Sequence, residues 1–299
     1  MTFTPLAAHL GCALLVGLDV LARGLRTRAC LRGCGHPLPL TRVLEFNLWA
    51  EAAAALTPFR IAGEPSRIGG MLHAGVPLSA SVVTSATEGA INGLAVMVVG
   101  LAVVFGFAPQ WWDHVGPAFM GHLWEAFPVV FAFAVAIVLG IRFLRRRPAV
   151  PLPGRRRWRD RAREIVRLWA EIPRVTFLYS AFLSGFSVCA RTLLLPLLVL
   201  AVPGHAGFGV LWLGSYMMVY SQLLLPVPAG AGAVELAFLG GVAGDPGSSA
   251  AALLIAWRGY SLGVATVVGT ALALHRFGAR PLLGLIRGRI RPGPDVPGP

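Results

Sequence analysis

Apolar stretches of about 20 residues recur along this chain, the length a helix needs to cross a hydrocarbon core of roughly 30 Å. Inside a bilayer every backbone N–H and C=O must be satisfied without water, and runs of this length do so as helices. Composition agrees: 56% of the residues are hydrophobic, 13% are charged, and the mean hydropathy is +0.70. A soluble domain carries about 25% charged residues, so too little polar surface remains to cover a water-soluble globule. The expected fold class is an all-α polytopic membrane protein with about 6–8 transmembrane helices.

A formal net charge of +13 raises the question of nucleic acid, whose binders carry a basic patch. The placement of the charge answers it. All 26 basic residues are Arg: five lie from Arg23 to Arg42, twelve from Arg142 to Arg174 and five from Arg276 to Arg291. Only Arg60, Arg67, Arg191 and Arg258 fall elsewhere. Three clusters alternating with apolar spans follow the positive-inside rule, and nucleic acid is not an expected partner.

The first span reads as Pro5 to Ala22, ending on the first Arg cluster, with Asp19 near its inner, interfacial end. It lacks the basic leader of a secretory signal and reads as a retained helix. A segment from Thr41 to Leu56 follows, then the broken stretch Thr57 to Gly70, a short segment Met71 to Thr84, and a span from Thr87 to Ala108. A Trp-rich outer loop carrying Asp113 leads to a span from Glu125 to Leu144 and the Arg-rich loop 142–174. In that loop Trp158, Ala162, Ile165, Val166, Trp169 and Ile172 recur at helical spacing opposite an Arg-dense face. This is the pattern of a helix in the headgroup layer of anionic lipid, or of a solvated cytoplasmic helix. Spans at Val175–Val202 and Gly207–Leu225 precede a second broken stretch, Pro226 to Glu235, and the last span covers Ser249 to Leu274.

Placing all three Arg clusters inside puts the N-terminus outside and the C-terminus in the cytoplasm. The stretches Thr41–Thr84 and Gly207–Gly247 then each begin and end on one face, and both break at Pro or Gly: Pro58 and Gly63 in the first, Pro226, Pro228, Gly230 and Gly232 in the second. Two re-entrant hairpins from opposite faces are expected, since irregular backbone at this depth survives only inside protein or beside a wet cavity. Each break is followed by a charged residue opening a Gly-punctuated span, Glu88 in one half and Arg258 in the other. Elements paired in opposite orientation suggest an inverted repeat.

Charge within a bilayer is costly and faces a partner or a cavity. Glu45, Glu51, Arg60, Glu64, Arg67, Glu88, Arg191, Glu235 and Arg258 are the charges concerned. Each is open to two readings, a structural ion pair or a wall of a headgroup cavity; as a set they favour the cavity. Arg60, Glu64, Arg67, Glu88, Arg191, Glu235 and Arg258 are its candidate lining, because guanidinium forks bind phosphate oxygens in pairs. The sequence has no P-loop, no G-x-G-x-x-G in a strand context, no H-E-x-x-H and no G-x-S-x-G, so no enzyme, catalytic residue or cofactor is expected. Cys30, Cys34 and His36 match no zinc spacing, and no metal site is expected.

The run Pro58-Phe-Arg-Ile-Ala-Gly63-Glu64-Pro-Ser-Arg67, then Gly75-Val76 and Glu88, resembles the Pro-x4-Gly-Glu-x2-Arg pattern and acidic span opening of the flippase-like lysylphosphatidylglycerol synthase transmembrane-region family. Pro226-Val-Pro-Ala-Gly230-Ala-Gly232-Ala-Val-Glu235 is similar to that family's Pro-x-Pro-Gly-Gly-x-Gly-x2-Glu signature, and Ala256-Trp257-Arg258 to its late Tyr-Arg step. The departures are Ala229 where Gly is common, Asn92 where Asp often lies, and a start that corresponds to the family's second helix. The soluble aminoacyl-transferase domain of the full-length synthases has no counterpart in the sequence, so synthesis of the aminoacylated lipid is not expected.

The resemblance implies a flippase-like transmembrane domain over residues 1–277 and a basic cytoplasmic tail over 278–299, in the inner membrane of a bacterium. It implies translocation or handling of a phospholipid or glycolipid headgroup, with anionic or phosphate-bearing membrane lipids as partners. The alternatives are a non-transporting accessory subunit of envelope lipid assembly and a membrane enzyme acting on a lipid phosphate. A second copy of the chain, or an envelope-synthesis protein, is a further partner compatible with this reading.

Overall fold

Among its described residues the computed structural model has four helices long and apolar enough to cross a membrane: Pro5–Gly33, Leu78–Phe107, Arg174–Val199 and Ala250–Arg276. The structure describes residues 5–107, 155–202, 207–222 and 249–278, with positions 109, 135, 139, 231, 232, 234, 235 and 238. The expected span 125–144 apart from positions 135 and 139, the Asp113 loop, the breakers Pro226, Pro228 and Gly230, and the tail beyond 278 lie outside them. Among the described residues the regular elements are all helical, as expected of a multi-pass helical membrane protein.

Helix α1, Pro5–Gly33, has 29 residues, about 43 Å at 1.5 Å per residue. It runs past the expected end at Ala22 and through Arg23, Arg26, Arg28 and Arg32. Arg is a good helix former, and no proline interrupts the stretch. Helix α2, Leu40–Ala55, and α3, Gly63–His73, pack side by side as an antiparallel hairpin: a Cβ on Gly70 would meet Phe46, and one on Gly63 would meet Ala54. With 16 and 11 residues these arms rise about 24 and 16 Å, too short to cross comfortably. The tip between them is tightened by Thr57, whose hydroxyl donates to Ala53 O at 3.0 Å and accepts from the Ala62 N–H at 3.2 Å.

Gly75, at φ 86, closes α3 ahead of Pro77, and α4 then runs unbroken over Leu78–Phe107. This corrects the expected division into Met71–Thr84 and Thr87–Ala108. No Gly or Pro separates Leu78 from Glu88, so Glu88 sits a third of the way along a continuous helix and opens no span.

Helix α5, Arg155–Glu171, leads into α6, Arg174–Thr192, and α7, Leu194–Val199. Part of α5's apolar face is used within the protein. Ile165 and Leu168 pack, with buried Ile172, against Leu31, Phe46, Met71 and Val83, and Ser79 donates to Glu164 at 2.9 Å. Trp169 on the same helix is exposed. Helix α8, Phe208–Ser221, starts against the end of α4. The last span is α9, Ala250–Arg258, a π turn at Gly259–Gly263, and α10, Val264–Phe277.

Helix α1 packs along α6, α10 along α2, and α4 between α6 and α8. Cys30 and Cys34 are buried beside Ser180 and Thr84, and no cluster of metal-ligating side chains occurs among the described residues. The α2–α10 contact is backbone-close, since a Cβ on Gly269 would lie 2.1 Å from Leu48 O. Overpacking costs about 1–3 kcal/mol where side chains can shift, and here the obstacle is backbone. Gly269→Val should therefore lower the melting temperature in detergent by several degrees and reduce membrane abundance. Gly185→Ala, with open space around the new Cβ, should match or exceed the parent, because alanine is the better helix former. Equal melting of Gly269→Val and the parent would refute the close packing.

Candidate functional site

The hairpin tip ends level with the middle of α1, and the charges of both meet there. Asp19 is buried midway along α1 rather than near the end of the first helix, and α6 supplies the reason for the burial. Arg191, in the last turn of α6, donates through Nε to Asp19 at 2.9 Å and through Nη2 to Glu51 at 3.0 Å. Asp19 also accepts from Ser187 and lies 3.1 Å from Arg23, one turn along α1. Glu51 on α2 accepts from Arg23 and, at 2.7 Å, from Arg60 at the hairpin tip. Phe59 and Arg60 hold φ of 51° and 56°, left-handed backbone that costs non-glycine residues about 1–2 kcal/mol each. The Arg60–Glu51 pair helps fix that conformation. This first cluster therefore holds three guanidinium groups and two carboxylates.

A second cluster lies beside it. Arg67 on α3 pairs with Glu88 on α4 and with Glu64 at 2.9 Å. Arg26 on α1 lies 3.6 Å from Glu88 and donates to Asn92 Oδ1 at 3.1 Å and Ser184 Oγ at 2.8 Å. Glu88 is 1% exposed. Glu64 sits in the first turn of α3, where the helix dipole favours an anion, and its side chain is 63% exposed. Two cations here face two anions.

All nine groups line one cavity of about 340 Å³, closed by Tyr220 and Gln222 at the end of α8 and by Tyr260 and Ser261 of the π turn. Five guanidinium groups against four carboxylates leave one positive charge in surplus. Asn92 contributes to that surplus: the family resemblance leads one to expect Asp, and Asn keeps the acceptor for Arg26 without the charge. The Nε of Arg23 and of Arg67 are buried with no hydrogen-bond acceptor among the described residues.

Of the expected lining residues, Arg60, Glu64, Arg67, Glu88 and Arg191 come together here, with Gly63 beside them. Glu235 and Arg258 do not line the cavity. They pair with each other at 2.6 Å, and Glu235 also accepts the N–H of Gly232 at 2.7 Å, where the chain turns at φ 88. Pro58 opens the 3-10 turn of the first hairpin. The cavity also takes Asp19, Arg23, Arg26 and Glu51, absent from the expected set. Their signal was the one-face spacing of Asp19, Arg23 and Arg26, visible only if the first helix continues past Ala22. Glu45 stays outside, paired with Arg42 on its own helix at 3.4 Å.

Spanning helices wrapped round a charged cavity define a multi-pass membrane protein with a polar chamber among its helices. The chain belongs to the lysylphosphatidylglycerol synthase TM region family, whose description matches residues 4–269. No curated protein and no solved structure matches it significantly.

Proposed function

We propose that this protein is a flippase-like transporter that carries the headgroup of a phosphate-bearing lipid through its polar cavity. The carrying observation is the surplus of one guanidinium among the nine charges that line one cavity. A phosphodiester monoanion would neutralise it, and three of the arginines already approach one another around Asp19 and Glu51. Each carboxylate of the cavity is tied to at least one guanidinium, which suits electrostatic binding better than proton transfer, and the reading is of a non-enzyme. The protein would sit in a bacterial inner membrane with its N-terminus outside. That orientation rests on the second and third Arg clusters with Arg28, Arg32 and Arg42, because Arg23 and Arg26 turn into the cavity.

Reconstitution tests this. The full chain in phosphatidylcholine vesicles, with a trace of fluorescent phosphatidylglycerol, should expose inner-leaflet probe to an impermeant quencher far faster than empty vesicles do. A rate equal to that of empty vesicles, with probe still retained on the purified protein, would favour the accessory-subunit reading. A chemically altered probe would favour a lipid-phosphate enzyme.

A further inference from the structure

Outside the polar cavity a second hollow, of about 580 Å³, lies along α9, the π turn and α10. Its walls are Ala256, Val264 and Val267, with His9 of α1 at one edge and Gly259 and Gly263 beneath. The helix that carries it is one of the four candidate spans, and only 11% of that span's most apolar window is buried in the protein. Val267 is 69% exposed. A face this exposed on a helix long and apolar enough to span a membrane meets hydrocarbon in a bilayer.

One residue joins this groove to the charged cavity. Tyr260 lines both, and its hydroxyl lies 3.1 Å from His9 Nδ1. That pair supplies the groove's polar edge; the remaining wall is aliphatic or side-chain-free. The π turn is what creates the juxtaposition: a single wide turn at a functional position carries Tyr260 and Ser261 towards the charges, while Gly259 and Gly263 leave the outer surface hollow. An apolar trough and a cationic chamber meeting at one aromatic seam match an amphiphile in shape and polarity.

We infer that an acyl chain of a membrane lipid lies in the groove over Gly259 and Gly263 while its phosphate headgroup occupies the polar cavity, with Tyr260 at the junction of the two. The inference deepens the proposed transport and rests on that reading for the headgroup. It makes the seam bridged by His9 of α1 and Tyr260 of the π turn the lateral opening through which a lipid reaches the charges. In the orientation above, the opening faces the outer half of the bilayer, towards the N-terminal end of α1.

Gly263→Leu fills the trough without forcing the backbone, because a Cβ there would meet only Arg258 O, at 3.7 Å. Val98→Leu, on the exposed face of α4, is the control. The full chain is reconstituted in phosphatidylcholine vesicles containing phosphatidylglycerol with a photoreactive diazirine midway along one acyl chain. After illumination, adducts should concentrate on residues 256–268. Gly263→Leu should reduce them, and slow lipid transfer, by about tenfold, as expected when roughly two methylenes lose their cover. Val98→Leu should change neither. Adducts spread equally over Leu94, Val98 and Leu101 of α4 would overturn the groove, as would Gly263→Leu transferring lipid at the parent rate. So would protein–protein cross-links at Gly263, which would put a second copy's helix in the trough. Specific adducts at 256–268 in a parent that moves no lipid would support the groove and defeat the transport reading alone.

Discussion

Glu88→Gln should remove most of this protein from the membrane. Glu88 is the carboxylate shared by Arg26 and Arg67, and it is almost wholly enclosed. Without it Arg67 retains Glu64 at 2.9 Å, but Arg26 keeps only the neutral acceptors Asn92 and Ser184. Removing one partner of a buried ion pair costs about 3–5 kcal/mol, because a desolvated charge is left behind. A whole fold has only about 5–15 kcal/mol of stability. The loss should appear as low abundance in the membrane fraction and as aggregation on size exclusion in detergent. Arg26→Gln combined with Glu88→Gln leaves the Arg67–Glu64 pair balanced and should restore most of the protein. Normal abundance of the single variant, with transport lost, would instead make Glu88 a lipid-binding group. Failure of the double variant to recover would show that the cluster contributes packing beyond charge.

The sequence carried the multi-pass helical class because run length and hydropathy are local properties, and it carried the first hairpin's break because Thr57, Pro58 and Gly63 punctuate it. It misleads at Ala22, where the arginines that follow resemble a membrane boundary while the helix continues to Gly33. The positive-inside rule concerns cations that face the cytoplasm, and whether Arg23 faces water or Glu51 depends on a helix 28 residues away. The same limit divided the site. Glu64 and Arg67 are three apart and could be paired by helical spacing. The Arg191 bonds span 172 residues to Asp19 and 140 to Glu51, and no local pattern encodes them. Depth and the pairing of the two halves place Arg258 and Glu235 with the cavity in sequence, and geometry gives them to each other. Asn92 changes meaning in the same way: in sequence it is a departure from the family pattern, and in the fold it removes an anion from beside Arg26.

Arg191→Gln should do the opposite of Glu88→Gln: leave the protein in place and abolish most transport. Arg191 bridges Asp19 and Glu51, yet neither carboxylate depends on it alone. Asp19 keeps Arg23 at 3.1 Å and the hydroxyl of Ser187. Glu51 keeps Arg23 and, at 2.7 Å, Arg60. The cluster passes from three cations and two anions to two of each, so no charge is stranded and the surplus that would draw a phosphodiester is gone. A hydrogen bond to a charged group contributes about 1.5–3 kcal/mol, so lipid transfer should fall about ten- to a hundredfold at near-normal abundance. Arg191→Lys keeps the charge, but one ammonium cannot reproduce a planar fork whose two arms reach different carboxylates, and its rate should lie between the two. Transfer rates for the three proteins, normalised to reconstituted amount, decide the matter. Parental transfer by Arg191→Gln would sink the surplus-charge argument. Loss of the protein would make Arg191 part of the scaffold, and the site would then have to be sought around Arg60, the cation that holds the hairpin tip in left-handed backbone beside the cavity.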